Sequence, residues 1–338
     1  MEKKKGRICV LATGGTIAGA AETPGDLFNY KSSNIHIDTL IANVIDGISE
    51  IAEIVNREQI TQIDSQDMND AVWLKLANRI NELLTQDNID GVVITHGTDT
   101  IEETAYFLNL VIKSRKPVVL VGSMRPSTAI SADGPRNLHN AAAVAANQES
   151  AGRGVLVVLN DTIHCARAVS KTNTSLVNAF TSYDFGVMGY VLAGEPKFYT
   201  STTRRHTYES EFDVSNINGL PKVDIVYAYA GSSAGTAINA FVNAGAKGLV
   251  IACAGNGGVS KETLSALDKA RKEGIFVVRS TRVAGGIVTR NSSISDDEHD
   301  FVASDSLNPQ KARILLQLVL LKNPDASAPE IQDYFYRY

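Results

Sequence analysis

Two short segments combine threonine with glycine in a way that suits nucleophilic chemistry. The first is Thr13-Gly14-Gly15-Thr16, and the second is Thr95-His96-Gly97-Thr98-Asp99. A threonine hydroxyl can act as a nucleophile when a neighbouring group removes its proton, and glycines let a ligand approach the backbone closely. Because the second segment also carries a carboxylate, the pair favours a ligand site over two ordinary strand-end caps.

Each of these segments follows a short apolar run that predicts a buried strand. Continuous runs of this length are typical of strands covered on both faces, as in a parallel sheet. Ligands bind outside the carboxyl ends of such strands, so we expect the two segments to share one edge of the sheet. The predicted strands are Ile8–Ala12, Gly91–Thr95, Pro117–Gly122, Gly154–Asn160, Val223–Tyr229, Gly248–Ala252 and Ile275–Arg279.

Helical patterns alternate with these strands, which indicates an α/β fold with right-handed crossovers. They are Ala71–Leu84, Glu102–Ile112, a helix that opens at Asp133-Gly134-Pro135 with Asp133 as its N-cap, Lys261–Lys272 and Pro309–Leu321. The alternation lapses after about residue 186, where Gly186–Tyr199 predicts a hairpin and a polar stretch follows. We therefore predict two domains: a larger N-terminal parallel-sheet domain over 1–199, a linker over 200–221, and a smaller C-terminal α/β domain over 222–338.

Composition excludes several other classes of protein. The 338 residues are 44% hydrophobic and 20% charged, as in an ordinary globular chain. The net charge of −5 argues against sequence-independent nucleic-acid binding. No apolar run approaches the roughly 18 residues of a membrane span. The three cysteines form no C-x-x-C pair and the six histidines no ligand spacing, so we predict neither a metal nor another cofactor.

Two alternative functions remain open on the residues alone. Gly231-Ser232-Ser233-Ala234-Gly235 fits the G-x-S-x-G nucleophile elbow, and Asp296 and His299 follow it in the order of a serine triad. A serine hydrolase that uses Ser233 is therefore one alternative. A non-catalytic amino-acid-binding protein on the same scaffold is the other.

Motifs along nearly the whole chain carry a family resemblance. They are Ala12–Gly19, Gly91–Thr100, Ser131–Pro135, Ser170–Asn173 and Ser306–Arg313. In this order they resemble the bacterial-type L-asparaginase family, and the whole set is similar to its type II branch. The resemblance implies a two-domain α/β homotetramer, a dimer of intimate dimers. It also implies hydrolysis of L-asparagine to L-aspartate and ammonia, with a possible weaker activity on L-glutamine.

The resemblance assigns catalytic roles to five positions. Thr16 matches the nucleophile, Tyr30 matches a mobile-loop tyrosine that assists it, and Thr98, Asp99 and Lys171 match a second catalytic group. The chemistry is consistent with these roles, because a threonine hydroxyl needs a proton acceptor at neutral pH. Lys171 could serve if the site keeps water away from its amine, with Asp99 orienting it.

Substrate contacts follow from the same resemblance. Ser65 and Gln66 match residues that hold the α-carboxylate and α-amine of the substrate, together with Thr98 and Asp99. An amino-acid zwitterion needs partners of both kinds, and Asp99 and Ser65 fit the ammonium and the carboxylate respectively. Asn256 matches a residue of the second domain that reaches the site of a neighbouring subunit.

The segments around these residues suggest a lid and an oxyanion site. Residues 22–34, which include Tyr30, contain Pro24 and Gly25 and lack periodicity, as expected of a lid that closes over substrate. Backbone N–H groups of Gly14-Gly15 or Gly97-Thr98 could hold the oxyanion.

The sequence also departs from the family pattern. Leu84 and Ser114 stand where periplasmic members often carry a disulfide, and Ser123 stands where alanine is more usual. The acid that a partner subunit offers to the substrate amine does not align cleanly; the candidates are Asp296, Asp297 and Glu298. The absence of an export signal favours the cytoplasm, although type II relatives are commonly periplasmic and a signal peptide could have been removed.

Overall fold

The computed structural model describes residues 5–338 and divides the chain into two compact units. The first is Met1–Asn216 and the second is Ile217–Tyr338. The linker predicted over 200–221 lies across this division, and its bounds and those of the two predicted domains stay predictions.

An eight-stranded sheet forms the centre of the first unit. Its strands are β1 Gly6–Gly14, β4 Ala52–Ile63, β5 Gly91–Thr95, β6 Val118–Val121, β7 Val155–Leu159, β8 Thr162–Cys165, β11 Gly189–Leu192 and β12 Glu195–Phe198. Their order across the sheet is β12-β11-β8-β7-β6-β5-β1-β4. From β4 to β7 neighbouring strands are parallel, whereas β8, β11 and β12 are added antiparallel. The predicted parallel sheet is confirmed, with an antiparallel extension that includes the predicted hairpin.

Two short antiparallel ribbons stand apart from this sheet. One joins β2 (Ala20–Ala21) to β3 (Tyr30–Lys31), and the other joins β9 (Val169–Lys171) to β10 (Phe180–Ser182). Each ribbon carries one residue of the predicted site, Tyr30 on β3 and Lys171 on β9.

Five helices complete the first unit: α1 Ile37–Ala42, α2 Ile45–Ile51, α3 Asp70–Leu84, α4 Ile101–Val111 and α5 Gly134–Ala146. The alanine-rich face of α5 packs in the main core against Val and Ile side chains of the sheet. Asp133 occupies the predicted N-cap position of this helix, although its side chain makes no cap hydrogen bond. That carboxylate instead accepts the N–H groups of Met124 and Arg125 at 2.9 and 3.0 Å. Asp133 therefore fixes the loop after β6.

The second unit has a four-stranded parallel sheet with its own core. The strands are β13 Val223–Tyr227, β14 Gly248–Cys253, β15 Phe276–Thr281 and β16 Val302–Ala303. The helices are α6 Ala234–Asn243, α7 Lys261–Lys272, α8 Asp296–His299, α9 Pro309–Lys322 and α10 Ala328–Arg337. This confirms the smaller α/β domain that the sequence predicts. Within residues 5–338, no helix combines the length and the apolar character required to cross a membrane.

Candidate active site

The two threonine segments lie side by side at the carboxyl edge of the large sheet. β1 and β5 pair in parallel, with Ala12 opposite Thr95, and the Thr13 hydroxyl donates to the Thr95 carbonyl at 2.9 Å. Gly15 has a φ of 84°, and a Cβ placed on it would lie 2.3 Å from the Cα of Gly97. Glycine is therefore required here, because the backbones of the two segments touch.

Thr16 and Tyr30 meet through their hydroxyl groups. Thr16 begins a short 3-10 turn, Thr16–Ala18, directly after β1. Its Oγ1 lies 2.8 Å from the Tyr30 hydroxyl, which β3 supplies. Pairing of Tyr30 with Ala21 holds the tyrosine over the turn. This geometry allows a proton to pass between the two hydroxyls.

A second group forms around the Lys171 amine. Its Nζ donates to Thr98 Oγ1 at 2.9 Å and to Asp99 Oδ1 at 2.5 Å. The Lys171 side chain is 15% exposed and that of Asp99 is 58% exposed, whereas Thr98 is buried. The lysine comes from β9 and the other two residues follow β5, so the ribbon and the sheet edge together build this group.

Ser65 lies beside the same segment. It begins the 3-10 turn Ser65–Asp67 that follows β4. Its hydroxyl accepts the Asp99 N–H at 3.2 Å, and its carbonyl accepts the Thr100 hydroxyl at 2.7 Å. The next residue, Gln66, is exposed. The structure thus brings Ser65 to the Asp99 loop, while the roles predicted for both residues stay predictions.

A buried hydrogen-bonded chain supports the second segment from behind. The indole of Trp73 donates to Thr104 Oγ1 at 2.8 Å, and that hydroxyl lies 2.8 Å from His96 Nε2. The Gly97 carbonyl can only accept, so His96 carries its proton on Nδ1 and donates to this carbonyl at 2.7 Å. Nε2 of the neutral ring then accepts from the Thr104 hydroxyl. Burial lowers the pKa of His96 to about 4, so the ring is neutral at pH 7.

Comparisons with known proteins agree with this architecture. The family model for the N-terminal domain of asparaginase matches residues 7–204, and that for the C-terminal domain of glutaminase/asparaginase matches residues 222–335. The chain belongs to the asparaginase family. The two family models match the two halves of the chain in order, so the fold described above is that of the family.

Individual asparaginases are similar over nearly their full length. The L-asparaginase 2 of Bacillus subtilis (strain 168) is 50% identical over 98% of this chain and 86% of its own. A probable periplasmic L-asparaginase of Haemophilus influenzae is 49% identical over 97% of this chain and 92% of its own. The crystal structure of a probable cytoplasmic L-asparaginase from Campylobacter jejuni has a TM-score of 0.95 and 49% identity, covering 99% of this chain and 100% of that one.

The second unit of this asparaginase does not assemble the predicted serine triad. Asp296 is fully buried, and its carboxylate accepts the Arg279 guanidinium at 2.5 and 2.6 Å. His299 pairs through Nδ1 with Asp268 at 2.6 Å. Both candidate partners of Ser233 are therefore engaged elsewhere, and the exposed serine precedes α6 as an ordinary helix-start residue. The nucleophile-elbow interpretation is wrong for this reason.

The other second-unit candidates are held in one loop cluster. Asn256 accepts the Thr289 N–H at 2.8 Å and donates to the Thr289 hydroxyl at 3.3 Å. Hydrogen bonds from Asn291 and Arg290 lower the pKa of Asp297. Glu298 is exposed. Of the three acids considered as partners of the substrate amine, Asp296 is excluded because it is buried and paired with Arg279.

Proposed function

We propose that this protein is an L-asparaginase that hydrolyses L-asparagine to L-aspartate and ammonia, with a weaker activity on L-glutamine. The observation that carries the proposal is the 2.8 Å contact between the Thr16 and Tyr30 hydroxyls. It occurs at the strand edge that also holds the Lys171 group. Nearly end-to-end similarity to proteins named L-asparaginase supports the substrate, and the glutaminase/asparaginase domain supports the second activity.

In the proposed reaction Thr16 Oγ1 attacks the carbon of the side-chain amide. The Tyr30 hydroxyl accepts the threonine proton and passes its own hydrogen to the amide nitrogen. The tetrahedral intermediate then expels ammonia, which leaves with a proton, and an ester to Thr16 remains. Water attacks this ester as the Thr98–Lys171 pair takes a proton from it. The ester bond then breaks, a proton returns to Thr16 Oγ1, and L-aspartate is released. One amide and one water are consumed for each ammonia and carboxylic acid formed.

Of the two oxyanion sites that the sequence leaves open, the backbone hydrogen bonds favour Gly97-Thr98 over Gly14-Gly15. The Gly15 N–H donates to Ser33 Oγ at 2.7 Å, so it is already used within the protein. Gly97 and Thr98 follow β5 after one intervening residue, His96, at the same carboxyl edge of the sheet. We therefore assign the developing negative charge to the Gly97-Thr98 amides.

Charge and exposure suit the binding of a zwitterion. The Asp99 carboxylate is 58% exposed although it pairs with Lys171, and it can therefore also accept an α-ammonium. Ser65, held against the Asp99 backbone, offers a hydroxyl to the α-carboxylate, and Gln66 adds an exposed amide. We propose that these three residues and Thr98 hold the backbone end of the substrate.

Assembly and compartment are proposed on the family alone. We propose a homotetramer, a dimer of intimate dimers, in which Asn256 completes the site of a neighbouring subunit. The relatives named above include one called periplasmic and one called cytoplasmic. The cytoplasmic assignment therefore stays a prediction for this chain.

Ammonia release separates the candidate functions. Wild type, Thr16→Ala and Ser233→Ala are assayed with L-asparagine and L-glutamine, without added metal or nucleotide. We expect wild type and Ser233→Ala to release ammonia, faster from asparagine, and Thr16→Ala to be inactive. Binding of L-aspartate by wild type without any turnover would instead indicate an amino-acid-binding protein.

A further inference from the structure

Ser33 has an unusual backbone conformation at the base of the lid. Its φ is 53°, in the left-handed region that residues other than glycine seldom adopt. It lies two residues after β3, the strand that supplies Tyr30 to the site. A non-glycine residue in this region costs about 1 kcal/mol or more, so the side chain needs a compensating use.

The Ser33 hydroxyl has such a use, because it joins three segments of the site. It accepts the Gly15 N–H at 2.7 Å, and its single hydrogen lies within reach of two acceptors, the Ile63 carbonyl at 2.8 Å and Asp64 Oδ1 at 3.2 Å. Its own N–H donates to the Gly15 carbonyl at 3.2 Å. One residue thus binds both sides of Gly15, directly before the nucleophile, and also the end of β4, directly before the Ser65 turn.

The turn around Gly14 is shaped to admit this hydroxyl. Gly14 has a φ of 111°. A Cβ placed on it would lie 2.5 Å from Ser33 Oγ and 2.4 Å from the Ile63 carbonyl oxygen. The contact between lid base and nucleophile turn therefore depends on the missing side chain at Gly14 and on the hydroxyl at Ser33.

We propose that Ser33 is a positioning residue that couples closure of the lid to placement of the Thr16 nucleophile. This inference rests on the proposed function. When the lid is closed, the Ser33 hydroxyl holds Gly15 and so fixes Thr16 under Tyr30. When the hydroxyl is removed, Thr16 keeps its chemistry, but the closed arrangement is populated less.

Two substitutions separate the hydroxyl from the backbone strain. Ser33→Gly and Ser33→Ala both remove the hydroxyl, whereas only glycine relieves the positive φ. We expect both to lower kcat about tenfold, the scale of one lost hydrogen bond. We expect Tm to stay equal or rise in Ser33→Gly and to fall in Ser33→Ala. If Ser33 served stability alone, kcat would fall in Ser33→Ala, where Tm falls, and would be retained in Ser33→Gly, where Tm does not.

Ser32→Ala is the matched control. The Ser32 hydroxyl donates to Asp64 and belongs to the same lid base, yet Gly15 is bound by its neighbour. We expect this variant to retain kcat within about twofold, since the Ser33 bridge stays intact. A Ser32→Ala loss as large as that of Ser33→Gly would overturn the assignment to Ser33.

Limited trypsin digestion measures how often the lid opens and does not depend on enzyme turnover. Lys31 is exposed at the end of β3, and cleavage after it, followed by mass spectrometry, reports opening of the lid. We expect cleavage several-fold faster in Ser33→Gly than in wild type or Ser32→Ala. Wild-type kcat and wild-type cleavage in Ser33→Gly would overturn the inference. If wild type released no ammonia the proposed function would fail, while this cleavage comparison would still decide whether Ser33 holds the lid.

Discussion

Lys171 holds its amine between a buried hydroxyl and an exposed carboxylate. Thr98 on one side is shielded from water, while Asp99 on the other remains open to a ligand. An amine in this position can exchange a proton with the threonine while the aspartate keeps it in place. The residue pair is therefore suited to activate water in the second half of the reaction.

Removing either partner of this pair should slow the reaction without unfolding the chain. We expect Thr98→Val and Lys171→Met each to lower kcat at least about 100-fold, the scale of a lost general acid or base. Folding should survive because both residues lie in loop or ribbon positions outside the main core. Lys197→Met, which changes a half-exposed lysine on β12, is the control. A kcat near the wild-type value in Thr98→Val or Lys171→Met would show that the substituted residue is not catalytic.

His96 should make the stability of the protein depend on pH. Its pKa is about 4 in the folded chain against 6.5 for the free side chain, because burial disfavours the charged ring. As the pH falls, the unfolded chain therefore binds the proton before the folded chain does. The free energy of unfolding is highest above pH 6.5 and declines towards pH 4. We expect a loss of up to about 3 kcal/mol in this window. Urea unfolding of His96→Gln should show a flatter dependence, and parallel curves would contradict the assignment.

The sequence anticipated the residues proposed as catalytic better than the residues that support them. Thr16, Tyr30, Thr98, Asp99 and Lys171 belong to recognisable motifs, and the structure brings them into two contacting groups. Ser33, Thr104 and Trp73 belong to no motif with a chemical meaning. Their importance depends on contacts between distant segments, and a single sequence does not specify which side chains will meet.

At the level of elements, buried strands were predicted and half-buried ones were missed. Gly91–Thr95 matches β5 residue for residue, because its apolar run is covered on both faces. Only Ala52 and Ile60 of β4 are buried, and the strand carries charged side chains, so no apolar run marked it. It occupies the sheet edge, where one side has no neighbouring strand. The missed α10 has a clear capping box at Ser327 and Glu330 that could have revealed it.

The contact between the β1 and β5 loops predicts a sharp difference between two glycines. We expect Gly15→Ala to cost about 2 kcal/mol or more and to abolish ammonia release, because its Cβ would overlap the Gly97 backbone. Gly25→Ala, in the lid, meets no atom within 4 Å of the new Cβ. It should change stability by less than about 0.5 kcal/mol. Thermal unfolding of both variants checks this, and equal losses would contradict the packing argument.

At the scale of the whole molecule, a buried arginine holds together the segments of the second unit around Asn256. Arg279 is fully buried and donates to Asp296 and to the Gly257 carbonyl. It thereby ties the loop that carries Asn256 to helix α8. Asn256 is in turn fixed by Thr289. Asn256 is therefore held in place by hydrogen bonds although it is exposed.

Mixing two inactive variants tests whether sites are shared. Thr16→Ala subunits and Asn256→Ala subunits are exchanged and assayed, with each parent treated alone as the control. If a site takes Thr16 from one copy and Asn256 from another, each mixed pair regains one intact site, and roughly a quarter of wild-type activity returns. An unchanged loss of activity after demonstrated exchange would mean that each chain builds its own site.

The spacing of the site along the chain also bears on how activity arises as the protein folds. Thr16 and Tyr30 are 14 positions apart, so the nucleophile can find its proton partner through local contacts. Thr98 and Lys171 are 73 positions apart, and the bond that joins β1 to β5 spans 82. Contacts of such long range form only after the chain has given up the corresponding loop entropy. Hydrolytic competence is therefore among the last properties that a folding chain acquires, and a partly folded chain is a poor catalyst.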